Sequence, residues 1–392
     1  MEKRKIKILF VLSQLVQHGS ERYLFEICQS LDKNKFQVEV MTRKYFVKDH
    51  YYYKKLIDLN IPIHRKLISK RHLRYPIKKF YNKAIYLRWL IKKIHAIIVD
   101  IEYEGFFEPY DIIAVVGIET YCDALMPYLD KNKNVVLHHV NHQFQFERNY
   151  FDECPQDKIV ILDAQQELEI RNSSLTDPSL YHLPLSMKLS DRPNLNSKIV
   201  GTKPVRIGVV SRLFADRPNE PLLRCFHAVA QAVDARLYFY GSGNPKLYDQ
   251  IVDELNIRDK VLFMGHQEDL EHSIIRDKLS MLWLVSMGSS ISYGSIEVAS
   301  FGIPMVFWNL SAMTYEQILA DTNGAMHSFS DINQFVEFNK KVLKDPGMLK
   351  SVGIKLREFV LGKFEIANYI DALQKYYEGI AADATGAGDN SQ

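Results

Sequence analysis

The residues best suited to bind a ligand or take part in a reaction follow an apolar run at 281–285. There, small residues lead into a helical segment that carries Glu297. Residues 281–306 have the pattern of a strand, a Ser/Gly-rich loop, a helix and a second strand. A helix N-terminus lined by small residues exposes backbone N–H groups and a positive dipole end, which favours phosphate binding. Glu297 follows about one turn later, where a carboxylate can accept hydrogen bonds from a ribose diol. An ordinary βαβ connection with a solvated Glu297 explains the same pattern.

Two arginines follow the predicted strand 205–210, in the loop Ser211-Arg212-Leu213-Phe214-Ala215-Asp216-Arg217. A guanidinium group keeps its charge and matches phosphate oxygens with parallel hydrogen bonds. The pattern therefore predicts either an anion site or a pair of surface ion pairs.

Two further loops contain glycine directly after a predicted strand. Gly241-Ser242-Gly243 precedes Asn244 and Pro245, which suit the cap and first residue of a helix. The missing third glycine argues against a dinucleotide fingerprint. In His18-Gly19-Ser20-Glu21, glycine permits close approach of a ligand, but a helix N-terminus capped by Ser20 explains the loop equally simply.

Histidines cluster after the predicted strand 135–137, in His138-His139-Val140-Asn141-His142. Imidazole titrates near neutral pH and therefore suits proton handling. Packing in the core or solvation accounts for at least two of the three.

Strands and helices alternate along the chain, with a break at 184–204, where proline, serine and asparagine replace apolar residues. This break predicts a linker. Predicted strands before it are 6–12, 38–42, 111–116, 135–137 and 158–162, and those after it are 205–210, 235–240, 261–264, 281–285 and 304–307. Two such halves indicate an α/β protein with two doubly wound domains facing across a cleft, with ligands beyond the carboxyl ends of the strands.

Composition narrows the class of protein. The chain has 392 residues, 47% of them hydrophobic, enough for two globular domains. It contains no apolar run long enough to cross a bilayer, and residues 6–12 are too short for a signal-peptide core. The cysteines have no metal-binding spacing, which favours a reducing cytoplasm: Cys28, Cys122, Cys154 and Cys225.

Basic residues are concentrated in residues 43–96, where 16 Lys and Arg accompany 2 acids and many aromatic residues. The first interpretation of Arg43 to Ile94 is a patch that binds an anionic membrane surface. A solvated helical face with aromatic core positions is the alternative. Nucleic acid is not expected as a partner, because no nucleic-acid-binding motif accompanies the charge.

Taken in order, these loops resemble the motifs of the family 4 glycosyltransferases, which have the GT-B fold. That family shows Gly-Arg-Leu with Lys five after the Arg, then Gly-x-Gly, Val-x-Phe-x-Gly, Glu-x7-Glu-Ala and Gly-x-Pro-Val. The matching segments here are Ser211-Arg212-Leu213 with Arg217, Gly241-Ser242-Gly243, Val261 to Gly265, Ser289 with Glu297-Val298, and Gly302-Ile303-Pro304-Met305. Gly19-Ser20-Glu21-Arg22 is similar to the family's first-domain motif Gly-Gly-x-Glu-Arg.

The resemblance implies a role for each position. Arg212 and Arg217 would bind the donor diphosphate, and Glu297 would hold the ribose hydroxyls. Gly19, Gly241, Gly243, Ser290, Ile291 and Ser292 would approach the substrate with their backbones. His142, or failing that His139, would lie near the acceptor and the transferred sugar. One departure stands out, because Ser289 replaces the first Glu of Glu-x7-Glu, a group that touches the sugar in the family.

The implied activity is transfer of a sugar, with retention, from a nucleotide-diphosphate donor to a hydroxyl of a glycan or lipid-linked glycan. The expected setting is bacterial surface polysaccharide synthesis, with the protein in the cytoplasm and peripheral on the inner face of the membrane. No Asp-x-Asp or metal-spaced cluster is found, so we expect no metal and no cofactor, with Arg212 and Arg217 stabilising the leaving diphosphate. A non-catalytic relative and a nucleotide-sugar epimerase are the alternatives.

The expected organisation has four parts. Residues 1–190 form the acceptor-side domain and residues 204–362 bind the nucleotide sugar. Residues 363–380 form a helix that crosses back to the first domain, and residues 381–392 form a disordered tail.

Overall fold

The computed structural model describes residues 4–16, 18–43, 51–66, 103, 105–129, 134–140, 150–152, 156–175, 177–199, 203–213, 219–267, 269–285, 291–308, 324 and 326–386. The chain divides into two compact units. Unit 1 comprises Met1–Ser186 and Tyr369–Gln392, and unit 2 comprises Met187–Asn368. The C-terminal helix therefore belongs to unit 1.

Each unit is built on one parallel sheet. The unit 1 sheet has seven strands in the order β3-β2-β1-β4-β5-β6-β7, and the unit 2 sheet has six in the order β10-β9-β8-β11-β12-β13. The strands in chain order are β1 (Ile6–Val11), β2 (Phe36–Arg43), β3 (Ile63–Lys66), β4 (Ile112–Val116), β5 (Val135–His139), β6 (Lys158–Ile161), β7 (Ser179–His182), β8 (Val205–Val210), β9 (Ala235–Tyr240), β10 (Val261–Gly265), β11 (Met281–Val285), β12 (Met305–Trp308) and β13 (His327–Phe329).

Helices connect the parallel strands, because a parallel neighbour can be reached only by a crossover. The described helices are α1 (Gly19–Ser30), α2 (Tyr51–Asp58), α3 (Ile118–Thr120), α4 (Ala164–Arg171), α5 (Asn196–Ile199), α6 (Glu220–Ala230), α7 (Asp249–Glu254), α8 (Leu270–Asp277), α9 (Tyr293–Ser300), α10 (Ile332–Leu343), α11 (Pro346–Phe364) and α12 (Ala367–Gly386). Among them, none combines the length and apolar character needed to span a membrane.

The central strands are buried, as expected for parallel sheets covered on both faces. Every residue of β4 and of β5 is buried. In unit 2, Trp283 of β11 has no exposed surface and donates from Nε1 to the Asn339 side-chain oxygen of α10 at 2.7 Å. This buried bond fixes a helix against the centre of the sheet and satisfies the only polar atom of the indole.

The predicted linker at 184–204 contains the boundary between the two units, which falls after Ser186, but most of the segment packs into unit 2. Met187 and Leu189 are buried, and Asn196 donates from Nδ2 to the Gly302 carbonyl at 2.7 Å. The Glu365 carboxylate, at the end of α11, accepts hydrogen bonds from the backbone N–H groups of Leu189 and Ser190. These contacts make the segment a structural part of unit 2, and its low apolar content hid them.

Three strands and one helix end differ from the sequence prediction. The strands that it missed, β3, β7 and β13, all lie at sheet edges and mix polar with apolar residues. Helix α12 continues as far as Gly386, so the first part of the predicted disordered tail is helical. Alanines in that stretch are strong helix formers, which explains the extension.

Candidate functional site

The predicted donor-binding residues of unit 2 follow neighbouring strands. Strands β9, β8 and β11 are adjacent, and all their pairings are parallel. Their carboxyl ends therefore lie at one edge of the sheet. Arg212 follows β8, the Gly241–Gly243 loop follows β9, and α9 with Glu297 follows β11. The fold thus brings together residues that are 85 positions apart in sequence, from 212 to 297.

The loops after β8 and β9 are joined by backbone hydrogen bonds. Leu213 N–H donates to the Ser242 carbonyl at 2.8 Å, and Asn244 N–H donates to the Leu213 carbonyl at 2.9 Å. These bonds extend the pairing beyond the strands and fix the Arg212 backbone beside the glycine loop. Arg212 itself is partly exposed.

Gly241 and Gly243 are required by this contact between loops. A Cβ at Gly241 would lie 2.1 Å from the Ser211 carbonyl oxygen, and one at Gly243 would lie 2.3 Å from the Leu213 carbonyl oxygen. Gly243 also has a φ of 131°, which disfavours other residues. The close approach in the structure is therefore to a neighbouring loop, and backbone contact with a substrate stays a prediction.

A buried asparagine holds the other end of the arginine loop. Asn219 has no exposed surface, and its Nδ2 donates to the Arg212 carbonyl at 3.3 Å and to the Tyr248 hydroxyl at 3.0 Å. The second predicted arginine, Arg217, lies outside the described residues. No sequence pattern indicated that Asn219 would be buried, because it follows a proline in a polar run.

Helix α9 begins close to the end of β8. Ser292 occupies the N-cap and its side chain accepts from the Ser295 N–H at 3.3 Å. A Cβ at Gly294 would lie 2.7 Å from Cγ1 of Val210, so glycine in the first turn lets the helix start approach the strand that precedes Arg212. Ser292 is exposed and Ile291 is buried. Ser289 and Ser290 lie outside the described residues.

Glu297 is held by a residue that the sequence analysis did not identify. Arg192 Nη2 lies 2.8 Å from Glu297 Oε1, with the arginine side chain 19% and the glutamate side chain 15% exposed. Partial burial makes such a pair stronger than an exposed one. Arg192 lies in the segment interpreted as a linker, so no strand or motif pointed to it.

The Arg192–Glu297 pair lies on a cavity of about 440 Å³ within unit 2. The other lining residues are Lys188, Asp191, Asp269, Leu270 and Glu271. Asp269 caps α8 by accepting from the His272 N–H at 2.8 Å. The cavity therefore lies between the beginning of α8, the turn that carries Arg192 and the Glu297 side chain of α9, and its lining offers both hydrogen-bond donors and acceptors.

In unit 1, the predicted loop after β1 starts helix α1 at Gly19. A Cβ at Gly19 would meet no heavy atom within 4 Å. Ser20 does not cap the helix, contrary to the alternative interpretation, because His18 occupies the N-cap position and Ser20 donates to Glu21 Oε2 at 2.7 Å. Packing thus gives no reason for glycine at 19, and its backbone contact with a substrate stays a prediction.

Glu21 is a buried carboxylate beside that loop. It is 1% exposed, and its Oε1 has no hydrogen-bond partner in the part of the chain that the structure describes. Burial raises the pKa of Glu21 to about 6, because a charged carboxylate is poorly solvated there.

His138 joins three elements of unit 1. Its Nδ1 lies 2.9 Å from the Tyr23 hydroxyl of α1 and its Nε2 lies 2.8 Å from the Tyr377 hydroxyl of α12. One nitrogen accepts and the other donates, so the neutral ring satisfies both contacts. Burial lowers the pKa of His138 to about 3. His138 is therefore a structural residue, as the core interpretation of the cluster expected.

The other two histidines are less informative. His139 has no exposed surface, and its ring packs edge-on against Phe151 with centroids 4.8 Å apart. In this arrangement the ring belongs to the core, and its substrate contact stays a prediction. His142 lies outside the described residues.

The predicted membrane patch is described only in part, by α2 and β3. Tyr52 is 5% exposed, and Lys55 Nζ lies 4.6 Å from the centroid of the Tyr51 ring. In α2, Tyr52 is therefore a core position, and membrane binding by the segment stays a prediction. The rest of the patch lies outside the described residues.

Among the described residues, no group of three or more His, Cys, Asp or Glu side chains could hold a metal ion. The metal-independent mechanism stays a prediction.

No protein-family model matches the chain. Among curated proteins, N-acetyl-alpha-D-glucosaminyl L-malate synthase of Bacillus anthracis is 24% identical over 166 residues, which is 42% of this chain and 42% of that protein. The match thus spans less than half the length of the curated relative.

Solved structures match over nearly the whole chain. Sucrose-phosphate synthase from Thermosynechococcus elongatus is 15% identical, with a TM-score of 0.71 over 97% of this chain and 100% of that one. HepE from Anabaena, in complex with UDP and glucose, is 12% identical, with a TM-score of 0.72 over 95% and 100%. These glycosyltransferase structures share the two-sheet architecture, and the chain has the α/β GT-B fold.

Proposed function

We propose that this protein is a glycosyltransferase that moves a sugar from a nucleotide-diphosphate donor to a hydroxyl of a glycan or lipid-linked glycan. The observation that carries the proposal is the grouping of Arg212, the N-terminus of α9 and Glu297 at the carboxyl ends of adjacent strands in unit 2. A guanidinium and helix N–H groups suit a diphosphate, and a carboxylate suits a ribose diol. HepE from Anabaena, a protein of this fold, is known in complex with UDP and glucose, which supports a nucleotide-diphosphate donor here.

In the proposed reaction the bond between the anomeric carbon and the donor phosphate breaks on the face at which the acceptor oxygen attacks. The acceptor oxygen bonds to that carbon, and the leaving diphosphate takes up the acceptor's proton. Arg212, Arg217 and the helix N-terminus stabilise the charge that develops on the diphosphate. No metal takes part, and the configuration at the anomeric carbon is retained.

The diphosphate role of Arg212 can be tested by binding. We expect a nucleoside diphosphate, at 100 times its dissociation constant, to add about 2.7 kcal/mol of stability to the wild type. Arg212→Ala loses a charge-assisted contact of about 1.5–3 kcal/mol, so its affinity should fall about 10- to 100-fold. The measurement is a thermal-shift titration with UDP, GDP and ADP.

Arg258→Ala provides the matched control for that titration. Arg258 forms exposed ion pairs with Asp249 and Asp253 in the same unit, away from the site. The Arg258→Ala variant should bind nucleoside diphosphates with the affinity of the wild type. Equal affinities in wild type and Arg212→Ala would contradict the diphosphate role.

Turnover separates the proposal from its two alternatives. A glycosyltransferase releases nucleoside diphosphate only when donor and acceptor are both present. An epimerase changes the donor sugar without an acceptor, and a non-catalytic relative binds without turnover. NMR of the product's anomeric carbon tests retention, and unchanged turnover in EDTA tests metal independence.

We also propose that the protein works in bacterial surface polysaccharide synthesis, docked on the cytoplasmic face of the membrane through residues 43–94. The excess of basic residues in that segment supports docking on anionic lipids. Flotation with vesicles containing anionic lipid should recover the protein, and flotation with neutral vesicles should not. Absence of binding to both would remove the membrane part of the proposal while leaving the enzymatic part intact.

A further inference from the structure

Arg192 is held in unit 2 by contacts to both its side chain and its backbone. Its side chain pairs with Glu297 at 2.8 Å, and its guanidinium carbon lies 5.1 Å from the centroid of the Phe301 ring. Its carbonyl accepts from Arg357 Nη2 at 2.7 Å. Contacts to the side chain and to the backbone together restrict where the guanidinium can lie.

The turn that carries Arg192 is itself fixed by a buried carboxylate. Glu365 is 9% exposed, and its Oε2 accepts from the N–H groups of Leu189 at 2.9 Å and Ser190 at 2.6 Å. Arg192 N–H then donates to the Leu189 carbonyl at 3.0 Å. A chain of contacts therefore runs from Glu365 through the turn to Arg192 and on to Glu297.

This arrangement is costly as a device for stability alone. Arg192 Nε is buried and has no hydrogen-bond partner among the described residues, and the same holds for Arg357 Nη1. A buried donor left unpaired costs about 1–3 kcal/mol, and apolar residues of similar size would avoid that cost. The arrangement does, however, hold one carboxylate oxygen of Glu297 in a fixed place at the edge of the cavity.

We propose that Arg192 is a positioning residue, which orients the Glu297 carboxylate to receive the ribose hydroxyls of the donor nucleotide. The inference rests on the proposed function and extends it, because it assigns recognition of ribose to the Arg192–Glu297 pair. A carboxylate that is already oriented loses less freedom when it binds a diol. The 187–192 turn thus contributes to donor selection, although none of its residues belongs to the motifs after the strands.

The test compares ribonucleotide and 2′-deoxyribonucleotide binding. The probes are UDP, GDP and ADP with their 2′-deoxy counterparts, measured by calorimetry on the full chain. For the diphosphate that binds best, we expect the wild type to prefer the ribo form by about 10-fold, the effect of one hydrogen bond to a charged group. In Arg192→Ala this ratio should fall below about 3, while affinity for the deoxy form stays within about 2-fold of wild type.

Three further variants sharpen the comparison. Glu297→Gln should lose the ribose preference as Arg192→Ala does, and Arg192→Lys should keep part of it. Arg258→Ala, the control for removal of an arginine, should keep all of it. Should Arg192→Ala fail to fold by circular dichroism, Arg192→Lys and Arg192→Gln are judged by the same ratio.

Two results would overturn the inference in distinguishable ways. If no nucleoside diphosphate binds the wild type, the proposed function fails and the inference fails with it. If they bind but the folded Arg192 variants keep the wild-type ratio, Arg192 does not position Glu297 for ribose, and the proposed function stands.

Discussion

Polar side chains at the carboxyl edges of the two sheets differ in burial and in charge. In unit 1, Glu21 and His138 are 1% and 0% exposed, and burial moves their pKa values toward the neutral forms. In unit 2, Arg212 and Glu297 are partly exposed, and Glu297 keeps a charged partner. Unit 2 therefore has partly exposed, charged side chains at this edge, whereas Glu21 and His138 of unit 1 are buried and shifted toward their neutral forms. This difference favours unit 2 as the unit that binds an anionic substrate.

The largest expected effect is on the free energy of unfolding, and it comes from comparing one glycine in each unit. Gly243→Ala places a Cβ 2.3 Å from the Leu213 carbonyl oxygen at a φ of 131°, so the 211–213 and 241–244 loops must separate. We expect a loss of about 3 kcal/mol or more in the free energy of unfolding. Gly19→Ala, where a Cβ meets no atom, is the control and should change it by less than about 0.5 kcal/mol. Urea denaturation measures both, and equal losses would break the contrast.

The second effect concerns His138 and acid. The unfolded chain protonates this histidine below its ordinary pKa of about 6.5, but the folded chain does so only near 3. Folding stability attributable to His138 is therefore present above pH 6.5 and lost as the pH falls. The stability difference between wild type and His138→Gln should shrink by about 3 kcal/mol between pH 7 and pH 4.

The exposed His182, whose side chain is 51% exposed, supplies the control for that experiment. The His182→Gln variant shows how loss of a solvated imidazole, here 3.1 Å from Glu167 Oε2, affects stability over the same pH range. A His138→Gln difference that is constant with pH would show that His138 is not held neutral in the folded chain.

The smallest effect has the opposite sign and concerns Glu21. Its pKa of about 6 in the folded chain exceeds the ordinary 4.5, so ionisation destabilises folding as the pH rises through this range. Glu21→Gln removes that cost and should stabilise the protein by about 2 kcal/mol at pH 8, with no gain at pH 4. Glu254→Gln, at a side chain 55% exposed, is the control for replacing a carboxylate that is not buried.

The fold was predictable because buried parallel strands are short apolar runs that recur between helices. Most strands in both sheets, including β8, β9 and β11, were predicted within a residue or two. Three of the four edge strands, β3, β7 and β13, were missed, since their sequences mix polar and apolar residues and carry weak periodicity. Tertiary pairing forms these elements, and local sequence carries little information about it.

The sequence analysis identified candidate site residues where they belong to a motif that comes after a strand. Arg212 comes two residues after the end of β8, and Glu297 lies in the helix that follows β11. Arg192 and Asn219 match no such motif. Arg192 takes its role from its contact with Glu297, and Asn219 from its hydrogen bonds to the Arg212 carbonyl and the Tyr248 hydroxyl. No spacing rule relates such pairs, so a single sequence could not reveal them.

The Tyr377 contact of His138 has a consequence for dissecting the protein. Residues 1–186 include all seven strands of this histidine's sheet, but the hydroxyl that meets its Nε2 comes from α12, almost at the other end of the chain. An expression fragment that stops at 186 would uncover an imidazole nitrogen and the aromatic surface around Phe10 and Phe36 that Tyr377 covers. A gene designed to produce the first unit alone should therefore join residues 369–386 to residues 1–186.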